Sequence, residues 1–297
     1  MKKILALLSE CIISFSIFAF DWPIQNIQTD NIKSFFAQKR GTTISSSVLL
    51  EPKAEKGSEE EFVPIVKNCE AGNILIIISD IEDDNDFFPS TLGQAVIISH
   101  TDNIISVYGN LSKDSNQNIE DKTFIDRETE IGTISNTAWT EKKNSLEFKL
   151  IDIKRSLAVN PRTILPRLEK EKSFAPSEII VENKDGKRFE LANNKSFLSG
   201  NYKFYQKRND YLVPEKVSIT VNGELTDEIL FDEIFQKDNT IYLTGLNQKY
   251  SLKSVYPDDK LFLMGEAKIQ KGKSVITFEN TSFSGEKRLS NYIVNIY

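Results

Sequence analysis

The sequence predicts an all-β protein of two domains. Three observations carry this reading. Between Phe35 and Pro166, short β-branched and apolar runs alternate with turn-forming or charged stretches; hairpin signals recur beyond Ser177; and helical periodicity is scarce. The 297 residues leave room for two cores of ordinary size. Hydrophobic residues make up 39% and charged residues 27%, values of a folded domain protein and too polar for a multi-span membrane protein.

At the start of the chain, Lys2 and Lys3 precede a largely apolar run from Ile4 to Phe20, which reads as a signal peptide over residues 1–20. Export to the periplasm or cell envelope follows. Glu10 interrupts the run, and no small-x-small pair directly precedes Asp21, so an uncleaved N-terminal anchor is the alternative. That run is shorter than the ~20 residues a bilayer span needs. Cys11 follows Glu10, where lipid attachment wants a small residue. No integral membrane domain is expected after leader removal. Losing the leader takes away two of the 37 basic and one of the 43 acidic residues, leaving a net charge of −7. Nucleic acid and anionic lipid are therefore poor partners. Cys69 then remains alone, unable to form an intramolecular disulfide. Between Val66 and Ala71 it reads as a core residue with no base expected beside it.

Ile32, Phe35 and Phe36 after Asp30 predict a short helix over Asp30–Lys39. Strands are predicted at Ile44–Leu50, Gly72–Ser79, Gly93–His100, Ile104–Tyr108 and Leu146–Ile151. These fill a first domain over residues 21–166. The charged, proline-bracketed stretch 167–176 reads as a linker. Over 177–297, strands at Ile179–Glu182 and Arg188–Leu191 flank Asp185-Gly186, and strands at Val217–Val221 and Ile229–Phe231 flank Asn222-Gly223. Leu261–Gly265, Val275–Phe278 and Tyr292–Ile296 add more. About seven or eight such strands fit a β-sandwich of immunoglobulin-like type.

One ordered set of motifs carries a functional signal. Residues 93–112 read GQAVIISHTDNIISVYGNLS, 130–139 EIGTISNTAW, 144–150 NSLEFKL and 159–166 VNPRTILP. Their order and spacing resemble the M23 (LytM, lysostaphin-type) peptidase domain over roughly residues 35–166. In that family a strand ending in His is followed by Tyr-x-His-Leu, a glycine turn, a His-x-His strand and a closing Asn-Pro. Active members hold zinc through the His and Asp of His-x-x-x-Asp and the second His of His-x-His. Two further histidines assist the metal-bound water. Imidazole suits zinc, and three protein ligands leave an open position for water.

Carried over residue by residue, Ser45 stands at the first ligand position and Leu49 at the Asp. Asn110 replaces the assisting His of Tyr-x-His-Leu, and Ser145 and Glu147 replace the His-x-His pair. The one histidine of the chain, His100, falls on a strand-end position that is not a ligand in the family. The resemblance therefore implies a pseudo-peptidase with no metal and no cofactor. Its implied role is a non-catalytic envelope protein that binds peptidoglycan or regulates or scaffolds cell-wall hydrolases. Tyr108, Asn110, Trp139, Ser145 and Glu147 would converge on the former groove, as a ligand pocket or as a remnant filling the space of the metal. Two alternatives stay open: a structural envelope protein working through protein contacts of both β domains, and a hydrolase with a centre rebuilt around Glu147.

Other sharp readings are weaker. The run Asp80, Glu82, Asp83, Asp84, Asp86 lacks the turn glycine and twelfth-position glutamate of a calcium loop. Ser45, Ser46 and Ser47 have no second histidine to activate a nucleophile. With 43 acidic residues, a carboxylate pair at glycosidase spacing arises without meaning.

Overall fold

The computed structural model describes residues 20–52, 64–79, 90–113, 118–138, 144–169, 171–209 and 212–297. Residues 1–19 of the expected leader, with Cys11, lie outside the described residues, as do the acidic run 80–86 and Trp139, whereas Phe20, the last residue of that expected leader, is described and packs in the core. Nearly all regular structure is antiparallel strand, as the sequence predicts. In the N-terminal half, Gly72–Ile78, Gln94–His100, Ile104–Leu111 and Leu146–Asp152 form consecutive neighbours of one sheet. Leu146, Phe148 and Leu150 are buried while Glu147, Lys149 and Ile151 are half-buried, the period-two signature of a strand with two different faces. On its other side that strand pairs first with Val48–Leu50 and then with Leu157–Val159.

Two predicted elements come out differently. Asp30–Lys39 is not a helix but a 3-10 turn at Thr29–Asn31, the strand Ile32–Ser34 and a tight turn. The apolar spacing there also suits a strand, and pairing with Val48–Leu50 decides between the two. Ala37, with φ of 60°, closes the turn. The predicted strand Ile44–Leu50 is broken into Thr43–Ile44 and Val48–Leu50. Between them Ser45 Oγ donates to Ser47 O at 2.8 Å, and this local side-chain bond competes with the strand ladder.

The C-terminal half is a sandwich. One sheet runs Lys287–Ile296, Gly272–Thr281, Lys216–Val221, Glu224–Lys237. The facing sheet runs Arg188–Glu190, Ile180–Asn183, Gly200–Lys207, Leu261–Ile269. Aromatic pairs join the layers: Phe204 with Phe278 at 5.4 Å and Phe231 with Phe262 at 6.1 Å between ring centroids. Asn222 and Gly223 both have positive φ, 54° and 86°, as a two-residue hairpin turn requires.

The first sheet of the sandwich is continuous with the N-terminal sheet, because Leu157–Val159 pairs with Leu146–Asp152 on one side and Phe235–Glu233 on the other. Asn160 strengthens the junction, giving its backbone N–H to Asp232 O at 2.7 Å and its side-chain amide to Phe231 O at 2.9 Å. Among the described residues, the stretch 167–176 has no strand or helix, yet it is tied to both halves. Trp22 Nε1 donates to Pro166 O, Glu171 pairs with buried Arg162, and Asn280 and Ser290 donate to the carbonyls of Phe174 and Pro176.

Candidate functional site

Of the five positions that the resemblance assigns to the metal machinery, Leu49, Asn110 and Glu147 lie on neighbouring strands of the N-terminal sheet, while Ser45 and Ser145 sit in the connections that precede Val48–Leu50 and Leu146–Asp152. Glu147 is in register with Leu49 on one side and Gly109 on the other, so these three share a face. Asn110 sits in a bulge: Gln94 pairs with Leu111 and Ala95 with Gly109, leaving Asn110 unopposed with φ of 67°. The bulge turns its side chain toward the entry of the Leu146–Asp152 strand. There its amide donates to Ser145 O at 2.6 Å, and its carbonyl accepts from Ala138 N at 2.8 Å.

Ser47 Oγ donates to Glu147 Oε1 at 2.8 Å. Thus Ser47, two residues beyond Ser45, is the hydroxyl that meets the carboxylate. Ser45 lies one step further out, bonded to Ser47. The alternation across Ser45-Ser46-Ser47 was the available signal for this partner. Ser45, Ser47, Leu49, Asn110 and Ser145 are all buried, and Glu147 is half-buried. Lys149 lies two residues along the strand from Glu147; burial lowers its pKa, and the Glu147 carboxylate opposes that shift.

These residues do not suit zinc. Serine hydroxyls are poor ligands, Leu49 has no donor atom, and the one carboxylate already accepts from Ser47 beside a lysine. Among the described residues no group of three or more His, Cys, Asp or Glu side chains converges as a metal site would require.

Tyr108 does not join this cluster. It neighbours Gly109 in the strand and so points to the opposite face, where its ring packs on Phe148 at 5.3 Å. Its hydroxyl donates to Asn68 Oδ1 at 3.2 Å and accepts from Cys69 N at 2.8 Å.

On that inner face the structure corrects one expectation: Cys69 does have a base beside it, and the base is the lone histidine. His100 Nε2 lies 3.9 Å from Cys69 Sγ and 2.7 Å from Ser106 Oγ. Its Nδ1 lies 3.1 Å from Ala71 O, which can only accept. The proton therefore sits on Nδ1, and Nε2 accepts from Ser106. Burial pushes the Cys69 thiol up to about 12 and lowers the His100 pKa. Both groups are neutral and enclosed, with Phe20 packed edge-on against the imidazole at 5.2 Å. This is core packing, with neither thiolate nor open path for a substrate.

The fold is all-β, and the polar side chains Ser45, Ser47, Asn110, Ser145 and Glu147 are hydrogen-bonded within it beside the apolar Leu49. A family model that carries no functional description matches residues 173–297. No curated protein matches the chain. Partial structural likenesses, all at low identity, include a chain of the crystal structure of the SpoIIIAH and SpoIIQ complex, at 19% identity and a TM-score of 0.37, covering 48% of this chain and 98% of that one. The structure of the SpoIIQ-SpoIIIAH pore forming complex gives 19% and 0.37, covering 53% and 100%. A zinc containing peptidase from Vibrio cholerae gives 15% and 0.36, covering 47% of this chain and 39% of that one.

Proposed function

We propose that the chain is a non-catalytic, LytM-like protein of the periplasm or cell envelope, a pseudo-peptidase that acts by binding other envelope components through its outer surfaces. The observation that carries this reading is the closed cluster. Asn110 and Ser145 bond each other, Ser47 bonds Glu147, and four of the five substituted positions are buried. Polar atoms satisfied in this way hold strands in register and are not offered to a ligand.

The outer face of the C-terminal sheet favours a protein partner. Val275 and Ile293 are cross-strand neighbours there and, with Leu289 and Leu225, expose 40–55% of their surface. Apolar side chains grouped on one open sheet face mark a contact surface. A cell-wall hydrolase or a scaffold protein fits this reading; peptidoglycan itself would have to bind outside the closed cluster. No helix among the described residues is long and apolar enough to cross a membrane.

The test has two arms. Purified protein is assayed for zinc content and for cleavage of purified peptidoglycan, with no stoichiometric metal and no turnover expected. Pull-downs then use envelope proteins and peptidoglycan sacculi as separate baits. Capture of a defined envelope protein that is lost with V275K/I293K supports the reading. Metal-dependent turnover, or retention by neither bait, refutes it.

A further inference from the structure

We infer that the outer face of the C-terminal sheet docks an acidic partner protein, whose aliphatic side chains cover Val275 and Ile293 and whose carboxylates meet Lys195, Lys271 and Lys273. The inference rests on the contact surface proposed above and deepens it by naming the chemistry of the partner.

Strand alternation sorts the side chains of this face. Val275 is in register with Ile293, Thr277 with Asn291 and Thr220, and Thr220 with Leu225, while Ile276 and Phe278 between them are buried on the core side. Leu198 follows Phe197, which pairs with Ile296 at the sheet edge. Among the described residues twelve large apolar side chains are exposed, and five of them, Leu198, Leu225, Val275, Leu289 and Ile293, belong to this sheet. That concentration is what a protein contact covers.

The charges around it are sorted by position. At one end each carboxylate has its cation: Glu279 pairs with Lys287 at 3.0 Å and Glu228 with Lys216 at 2.9 Å. At the other end, beside Val275 and Ile293, Lys273 is in register with Asn295, the Asn295 N–H donates to Lys195 O at 2.8 Å, and Lys271 lies two residues before Lys273. All three lysines are exposed, and among the described residues none of them makes an ion pair. Glu224, after the Asn222-Gly223 turn, adds one exposed carboxylate, so this end stays cationic on a chain of net charge −6. An aliphatic centre with a cationic rim complements a protein surface that presents aliphatic side chains among Asp and Glu.

Two other occupants fit less well. A second copy would bring its own lysines to a face whose remaining carboxylates, Glu224 apart, are already paired. A bilayer is poorly matched because Thr220, Thr277 and Asn291 interrupt the apolar residues and no tryptophan lies on these strands to anchor them.

The probe is a fluorescein-labelled β-hairpin peptide with alternating Val and Glu about an Asn-Gly turn, compared with a twin that has Lys for every Glu. Anisotropy titrations with the full chain are expected to show the Glu hairpin binding about tenfold tighter than its twin, with the difference shrinking in about 0.5 M salt. K271E/K273E is expected to abolish or reverse that preference, and V275S/I293S to weaken both peptides; circular dichroism checks that each variant keeps its fold. Equal binding of the two hairpins, preference for the Lys twin, or binding of neither overturns the inference. Retention on phosphatidylglycerol vesicles that V275S/I293S abolishes replaces the protein partner with a membrane, and a dimer in sedimentation velocity that the same variant dissociates replaces it with a second copy; either overturns the inference. Loss of a captured envelope protein with V275K/I293K but not with K271E/K273E overturns the acidic chemistry while the envelope reading stands. Metal-dependent turnover, by contrast, removes that reading without changing the hairpin result.

Discussion

Asn110 occupies backbone geometry that few residues accept, and its side chain bonds both Ser145 O and the Ala138 N–H. Asn110→Ala loses both bonds, strands the Ala138 N–H, and puts a plain Cβ in the left-handed region. The expected loss is about 2–4 kcal/mol in urea unfolding. Asn110→Gly keeps the backbone comfortable and forfeits only the side-chain bonds, so it falls between parent and alanine variant. If Asn110 were instead a free pocket residue, both substitutions would leave stability nearly unchanged. His100 makes a second prediction. Burial holds its pKa below the usual 6.5. Between the folded and unfolded values the unfolded chain takes up the proton and the folded chain does not. Stability from this group is therefore complete above 6.5 and is lost as pH falls through the window. The urea midpoint should fall more between about pH 7.5 and about pH 5.5 in the parent than in H100Q. Asp227, Asp232 and Glu215, whose pKa values are raised by burial, act in the opposite sense and cancel in that comparison. Equal slopes would mean that His100 takes up its proton equally in the folded and the unfolded chain.

At the scale of elements, Arg162 and Glu171 bind the end of the first half to the stretch after it. Both side chains are 4% exposed, and the guanidinium lies over the Phe283 ring at 4.0 Å and the Phe35 ring at 5.2 Å. Burial lowers the Arg162 pKa to about 10, so it remains charged at neutral pH. Glu171→Gln leaves that charge without its counterion, with an expected cost of about 3–5 kcal/mol. R162M/E171L removes both charges and should recover most of the loss, which equilibrium unfolding of the three variants will read. This pair also shows why part of the fold was hidden in the sequence. A charged stretch between two prolines looks solvated, and nothing local says that Glu171 is buried beneath Phe283. Elements whose information is local were legible: the Asn222-Gly223 hairpin, the alternation of Leu146–Asp152 and the scarcity of helix. Ile32–Ser34 was not, since its apolar spacing suits both periods and its partner Val48–Leu50 is distant in sequence. Motif order singles out Asn110, Ser145 and Glu147, and the structure brings Asn110 against Ser145. It does not single out Ser47, because the contact of Ser47 with Glu147 depends on how the serine run bends.

For the whole molecule, the decisive feature is that one sheet passes through both halves. Leu157–Val159 has neighbours on both sides, and Ala158 is in register with Ile151 and Ile234. Around this seam Trp22 reaches Pro166, Tyr256 donates to Ala37 O at 2.7 Å, and Asn160 is bonded to Phe231 and Asp232. Contacts so distributed couple the halves, since neither can open without exposing strand edges and buried polar groups of the other. The protein should therefore melt in one calorimetric transition, with near-ultraviolet and far-ultraviolet signals changing together. Ala158→Pro removes an N–H from the centre of the seam and clashes with its ladder, at a cost of about 3 kcal/mol or more. Because the damage lies between the halves and not within either core, the expected signature is a split endotherm. A single lowered transition in A158P would mean the halves are held by side-chain packing alone. Two transitions in the parent would mean that residues 167–176 act as a true linker despite their bonds to both sides.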